Sequence, residues 1–545
     1  MSSRKLFTLE WSMAQALLSS VTGTPLCSSS SFTFPELKGA ELVGISANAV
    51  HNYTARSVLP GSLDAESYTI NFCNTTVTYT HPGWNDSVNV EVWLPLEPTD
   101  WNGRLEALGG GGYSAGFGSL YLTQAVADGY VAIDTDAGHE PGTSAAQQPG
   151  DWVLTSPGNV DWHLVEDFGS RSLYDMTIIG KAITEAYFGR TPRYSYFNGC
   201  SGGGRQGLMI AQRYPDLYDG ILSLAPAINL ENFVPAGYWA QQVMKDLGVY
   251  PSPCEIDAFT KAAVEACDVL DGVKDGVISA PDRCHFNPHS VVGQSVSCND
   301  TATQTLSRAG AYIVEAAWDG PRSPTGNIGW FGLSKDASLT AAYVATECSN
   351  GTCSAAATEL LSSWFPYFVA KDPDFPTANM ATAGFFAALQ LSDREYDSML
   401  AAASPDLSGF RDAGGKMISW HGLADEVIPP NGSIAYYQQV LELDPSADEF
   451  YRLFEAPGVG HCQGGLGPYP SDTFKELIAW VEDGVVPETL NASSADGTVR
   501  PLCPYPSQQT YVGGDPSKAS SFACMPREVP DGGLLADICR FFRPS

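Results

Sequence analysis

One segment restricts the fold of this chain more than any other. Residues 194–198 read as a β-strand, the chain turns sharply through Gly199, Cys200, Ser201, Gly202 and Gly203, and residues 203–213 read as a helix. Gly-x-Ser-x-Gly between a strand and a helix forces the serine at its apex into a strained backbone conformation. Strand and helix then pass so close that only small residues fit, a need that Gly199 and Gly203 meet. The hydroxyl is aimed out of the sheet, and the helix N-terminus behind it favours negative charge on a nearby oxygen. An ordinary serine in a glycine-rich turn is the competing reading, and the flanking strand and helix count against it. The Cys200 thiol is the weaker nucleophile candidate, since one position before the apex it points away from the opening.

The rest of the chain supplies the sheet such a turn requires. Short β-like runs at 104–108, 130–134, 194–198, 220–224, 416–420 and 449–454 alternate with helical candidates at 172–188, 203–213, 434–441 and 474–481. That rhythm predicts an α/β fold, a mostly parallel sheet with helices on both faces and functional residues on the loops after the strands. The chain order nucleophile, acid, base predicted for an α/β-hydrolase fold is met by Ser201, then Asp425 after one strand, then His461 in a Gly-rich loop after another. Imidazole would take the serine proton, and the carboxylate would fix its tautomer and stabilise the imidazolium. Glu426 is the rival acid. His421 comes too early for the base and reads as a structural loop residue, and His139 reads as a hydrogen-bonded loop residue. An oxyanion would be held by the N–H of Gly202 and by that of Gly110 or Gly111, within the Gly109–Gly112 run.

Between 226 and 407 the strand–helix rhythm gives way to cysteines, turn clusters and aromatic stretches, which predicts an inserted lid domain. Residues 27–225 and 408–545 would form the catalytic domain. Trp364, Phe365 and Tyr367 could line the lid's pockets or fill its core. With 545 residues the chain can bury a large core, and no internal repeat appears.

The chain has 29 Lys plus Arg against 61 Asp plus Glu, so its formal charge is −32, which argues against nucleic acid and anionic membranes as partners. Thirteen cysteines without paired Cys-x-x-Cys spacings point to disulfides rather than metal thiolates. Glycosylation sequons at Asn52, Asn74, Asn85, Asn299, Asn350, Asn431 and Asn491 agree with a secretory route. Residues 1–26 resemble a signal segment weakened by Glu10, and no apolar run is long enough to span a membrane. A secreted, extracellular protein is expected.

Cys200 directly precedes Ser201 and Cys462 directly follows His461, so a bond between them would lock two catalytic loops together. Two free buried cysteines are the alternative. With the runs 198–207, 421–425 and 457–462, this arrangement resembles the tannase and feruloyl esterase family, and the fungal feruloyl esterase B branch more than tannase. The resemblance runs from about Cys27 to the C-terminus. It implies a serine carboxylesterase that hydrolyses aromatic acyl esters, feruloyl or hydroxycinnamoyl esters of plant cell walls first and galloyl esters second, through an acyl-serine intermediate. An esterase or transacylase tailoring a secondary metabolite and a non-catalytic binder of aromatic ligands are the other readings.

The resemblance also implies a structural calcium ion in the lid, held by the side chains of Asp268, Asp271 and Asp275 and the carbonyls of Val273 and Val277. A Cys267–Cys284 disulfide would close that loop. No organic cofactor is expected. Cys27–Cys73 and Cys503–Cys524 are further pairs suggested by the resemblance. Proximity in sequence suggests Cys254–Cys298 and Cys348–Cys353, which leaves Cys539 as the odd thiol.

Overall fold

The structure, a computed structural model, describes residues 26–63, 65–298, 303–323, 326 and 328–527. Nearly all of the expected signal segment, together with Asn299 and Cys539, lies outside the described residues.

Nine strands form one sheet: β1 (Glu41–Ser57), β2 (Glu66–Thr80), β3 (Val88–Pro95), β4 (Arg104–Leu108), β5 (Val131–Thr135), β6 (Tyr194–Cys200), β7 (Gly220–Leu224), β8 (Lys416–Gly422) and β9 (Tyr451–Ala456). Their spatial order is β1-β2-β3-β5-β4-β6-β7-β8-β9. From β5 through β4 to β9 every pairing is parallel. These strands are short and apolar, and β5 and β7 are buried along their whole length, as expected of strands covered on both faces. β1, β2 and β3 are joined antiparallel and meet the parallel part through β5.

Alternate residues of the strands feed two cores. On one face Val131, Ile133, Phe197 and Met417 pack against α2 (Ser172–Phe188), α3 (Gly202–Arg213) and α9 (Pro430–Leu443). On the other face Tyr196, Ile418 and Trp420 pack against α1 (Ser119–Ala127) and α10 (Thr473–Asp483). α2 ends where Gly189 takes a left-handed conformation that L-residues avoid.

The chain leaves the sheet at Leu224 and returns at Lys416. Between these points it forms α4 (Leu230–Gly237), α5 (Trp239–Leu247), α6 (Pro253–Cys267), α7 (Arg308–Asp319) and α8 (Thr382–Leu400) around a third core. That core also takes in Tyr113, Trp152, Val165 and Phe168 from before the excursion, so the excursion is packed onto the chain that precedes it. Trp364, Phe365 and Phe368 are fully buried there, and Trp364 stacks on Phe368 with centroids 4.0 Å apart. The Trp364 and Phe365 side chains therefore fill a core instead of lining a pocket.

Six disulfides join Cys27–Cys73, Cys200–Cys462, Cys254–Cys298, Cys267–Cys284, Cys348–Cys353 and Cys503–Cys524. Of the sequon asparagines, Asn52, Asn85, Asn350 and Asn491 are exposed, and Asn74 and Asn431 are half-buried.

Candidate active site

Ser201 stands between the end of β6 and the start of α3 with φ 63° and ψ −123°. A non-glycine residue in such a region stores on the order of 1–3 kcal/mol and persists only where its surroundings hold it. Here the Ser201 N–H donates to the Leu224 carbonyl at 3.0 Å. Glycine is required beside it: a Cβ on Gly199 would sit 2.5 Å from the Gly203 backbone, and one on Gly203 would sit 2.8 Å from the Gly110 oxygen.

The loops after β8 and β9 bring two partners to this hydroxyl. His461 Nε2 lies 2.9 Å from Ser201 Oγ, and His461 Nδ1 lies 2.8 Å from Asp425 Oδ2. Asp425 is fully buried, and its Oδ1 accepts from the N–H groups of Val427 and Ile428, each at 2.8 Å. Glu426 takes another place, since its Oε2 accepts from the His461 backbone N–H at 3.1 Å. The Cys200–Cys462 disulfide ties the serine turn to the histidine loop across 262 residues.

His421 belongs to this group more closely than its sequence position suggests. Its Nε2 is 3.2 Å from Asp425 Oδ2 and 3.1 Å from the Ile428 carbonyl. Two acceptors at one nitrogen require a proton there, and the other nitrogen, Nδ1, lies 2.8 Å from the Ser433 hydroxyl. Asp425 Oδ2 thus receives two imidazole N–H groups. Sequence order alone gave no signal for this second contact.

The electrostatics follow. Burial would raise the Asp425 carboxyl, but the His461 charge and the hydrogen bonds from His421 and His461 hold it far below the usual carboxylate range. Burial would lower the His461 imidazole, but the Asp425 charge and hydrogen bond, with Glu426 beyond them, raise it above its ordinary value. A hydroxyl, an imidazole and a carboxylate in this line can move the serine proton onto His461 as Oγ attacks an electrophile, and return it to a leaving group.

The glycine loop differs from expectation. The Gly110 N–H donates to Gln206 Oε1 at 2.9 Å and the Gly111 N–H to the Ser114 carbonyl at 3.0 Å, so neither is directed at a substrate oxygen. Both are spent because the loop recloses on itself and on α3 directly after β4. The neighbouring Gly112 nitrogen lies 3.2 Å from where a Gly202 Cβ would stand, so the Gly112 backbone packs directly against Gly202. His139 has other partners, with Nδ1 3.5 Å from the Glu140 carbonyl. Its ring stacks on Trp152 at 4.6 Å, burial pushes its pKa down to about 4, and it borders a separate cavity of about 540 Å³ with Glu91, Asp134 and Asp136.

The loop read as a calcium site follows α6. Asp268 Oδ1 accepts from the N–H groups of Asp275 and Gly276, Asp271 Oδ1 from Val273, and Asp275 Oδ1 from Val277. Arg500 holds Asp275 Oδ2 at 3.0 Å. Asp336, which sequence reading missed, reaches in from a distant stretch and accepts from the Ile278 N–H at 3.3 Å. Burial raises the Asp271 carboxyl, and the charges of Asp275 and Asp268 raise it further. The oxygen donors of Asp268, Asp271 and Asp275 are of the kind a hard divalent cation takes.

Residues 73–525 match the family model described as "Tannase and feruloyl esterase". A probable feruloyl esterase of Arthroderma benhamiae is 42% identical over 501 residues, 90% of this chain and 92% of that protein. A tannin acyl hydrolase of Aspergillus niger superposes with TM-score 0.82 at 28% identity, covering 95% of this chain and 97% of the other. Feruloyl esterase B of Aspergillus oryzae shares the fold, with TM-score 0.74 at 23% identity over 90% of this chain and 98% of its own. A serine elbow and an imidazole–carboxylate pair on the loops of an α/β-hydrolase sheet, together with a family match over most of its length, make this chain a member of the tannase and feruloyl esterase family and a carboxylic ester hydrolase.

Proposed function

We propose that this hydrolase is secreted and cleaves feruloyl or related hydroxycinnamoyl esters through an acyl-Ser201 intermediate. His461 Nε2 takes the proton as Ser201 Oγ attacks the ester carbonyl, and Asp425 holds the Nδ1–H and stabilises the imidazolium. The N–H groups of Gly202 and Gly112 receive the oxyanion. The protonated His461 then returns its proton to the departing alcohol, and water activated by the same nitrogen releases the acid. His421 is a positioning residue, because it acts on Asp425 and not on the substrate.

The 42% identity to a probable feruloyl esterase carries the choice of substrate. The closer superposition on a tannin acyl hydrolase than on feruloyl esterase B favours galloyl esters as the second reading. Comparing kcat/KM on methyl ferulate, methyl caffeate, methyl gallate and a terephthalate monoester decides between them. The highest value is expected on ferulate or caffeate, and a highest value on gallate would overturn the choice. Six disulfides and the exposed sequons support an extracellular location.

The base must be neutral to act, so the raised His461 pKa places the acid limb of the kcat/KM profile above the ordinary imidazole value of about 6.5. Glu426→Gln removes a negative charge that favours the imidazolium while leaving an acceptor for the His461 N–H. The acid limb is expected to move to lower pH with the plateau largely kept, and an unmoved or raised limb would refute that role.

Asp268, Asp271 and Asp275, with the carbonyls of Val273 and Val277, would hold calcium as a brace within the inserted domain, apart from the reaction. An ion bound at 100 times its Kd contributes about 2.7 kcal/mol to stability. Chelation by EGTA should therefore lower the melting temperature by roughly 2–3 °C. Asp271→Asn should abolish that calcium dependence, and a melting curve indifferent to EGTA would remove the ion from the account.

A further inference from the structure

The turn between β2 and β3 meets the segment ahead of α2 in a buried polar cluster that ester hydrolysis leaves unused. His81, Asp86, Asp167 and Asp175 are at most 9% exposed. Asp86 spends Oδ1 on the His81 N–H and the Thr80 hydroxyl and turns Oδ2 to within 2.5 Å of His81 Nδ1. Asp167 Oδ1 lies 3.8 Å from the same nitrogen. One ligand atom from each of His81, Asp86 and Asp167 falls within 4.8 Å of the other two.

Two features separate this cluster from an ordinary ion pair. First, Asp167 is fully buried and neither of its carboxylate oxygens has a hydrogen-bond partner. Buried polar groups are paired as a rule, and an isolated buried carboxylate is among the costliest exceptions. Arg171 and a protonated His81 would carry two positive charges against the carboxylates of Asp86, Asp167 and Asp175. One negative charge is left over, and it falls on Asp167. Second, Asp175 Oδ2 accepts from His81 Nε2 at 2.9 Å and is itself held by Arg171 Nε at 3.0 Å. A carboxylate on the far nitrogen fixes the tautomer of a metal-bound histidine and raises its basicity, and here it frees Nδ1 to be the ligand.

We propose that His81 Nδ1, Asp86 Oδ2 and Asp167 Oδ1 form a second metal site, for a divalent transition ion of the zinc type. An imidazole nitrogen with two carboxylate oxygens is a mixed donor set that suits zinc better than calcium. The ion supplies the charge Asp167 lacks and takes the place of the proton between His81 and Asp86. Tetrahedral zinc with bonds of about 2.0 Å needs its ligands roughly 3.3 Å apart, so the Nδ1 and Oδ2 atoms part by under an ångström. Asp167 opens a π-turn over Asp167–Arg171, an irregularity common at functional sites. The Phe168 and Gly169 carbonyls on that turn accept from Arg205 of α3, so the ion would brace the helix that follows Ser201. Trp84 covers the His81 ring at 4.4 Å.

The rival occupant is a proton on Asp167, whose carboxyl burial pushes up to about 8. The full-length enzyme, stripped of bound metal with EGTA and then dialysed against zinc, should take up one equivalent of zinc by elemental analysis. It should also bind Co2+ one-to-one with a visible absorption band that zinc displaces. Asp167→Asn and Asp86→Asn should weaken Co2+ binding at least as much as the roughly 10- to 100-fold typical of losing a supporting group. If these variants fail to fold, the stoichiometry and spectrum of the wild-type enzyme decide alone. A wild-type enzyme without stoichiometric Co2+ or zinc, or folded variants that bind Co2+ as the wild type does, would overturn the site. A folded, undiminished Asp167→Asn with no metal in either protein would identify the proton as the occupant.

Discussion

Ser201→Ala is expected to lower kcat on an aryl ester by about a million-fold and to abolish covalent labelling by a serine-directed phosphonate. The reason lies in how little else the hydroxyl does. Its side-chain hydrogen bond is the 2.9 Å contact with His461 Nε2, so deletion removes the attacking atom and hardly disturbs packing. The oxyanion donors and the binding surface survive, which should leave a residual rate about a thousand- to ten-thousand-fold above water. Stability supplies an internal control. Alanine keeps the backbone penalty at φ 63°, whereas Ser201→Gly relieves it, so the glycine variant should be equally inactive yet more stable by about 1 kcal/mol. Thermal melts of both variants, beside their single-turnover kinetics, test this. A drop of less than tenfold in kcat for Ser201→Ala would mean that another group performs the attack.

What could be read from the residues follows how local each signal is. The run 104–108 coincides with β4, 220–224 with β7 and 172–188 with α2, because buried parallel strands and amphipathic helices carry their pattern within a few residues. The strand runs read from the residues include none of β1, β2 and β3, although β3 does alternate. β1 is polar and largely exposed over 17 residues, so neither apolar runs nor strict alternation marked it, and its strand conformation is set by pairing with β2. Ser201, Asp425 and His461 could be found because each lies on its own turn directly after a strand. The oxyanion loop could not be resolved to a residue, since four consecutive glycines look alike until Gln206 and Ser114 claim the N–H groups of Gly110 and Gly111. His421 meets Asp425 only four residues on, across a turn that no helical or strand period describes, whereas Asp336 and the His81–Asp167 contact depend on side chains meeting across long separations. No spacing rule reports such meetings.

The disulfide beside the catalytic residues should matter more than any other in the chain. By the chain-entropy relation, a bond closing 262 residues restrains the unfolded chain by about 5–6 kcal/mol, against about 2 kcal/mol for Cys348–Cys353, which closes five. The two pairs also sit in different mechanical settings. Cys348 and Cys353 pair across a two-stranded ribbon, so their loss leaves the triad alone. Cys200 and Cys462 flank Ser201 and His461 directly, and Cys462 takes a left-handed φ of 59° that the bond helps to hold. A displacement of about 1 Å between nucleophile and base can cost a hundredfold in rate. Cys200→Ala/Cys462→Ala is therefore expected to lose stability by several kcal/mol and, at temperatures where circular dichroism shows it folded, to lose at least about a hundredfold in kcat. Cys348→Ser/Cys353→Ser should lose stability modestly and keep its kcat. If the first double variant, while folded, turned over ester at the wild-type rate, the bond would be a restraint on the unfolded chain alone, and the remaining contacts of the two loops would suffice to align Ser201 with His461.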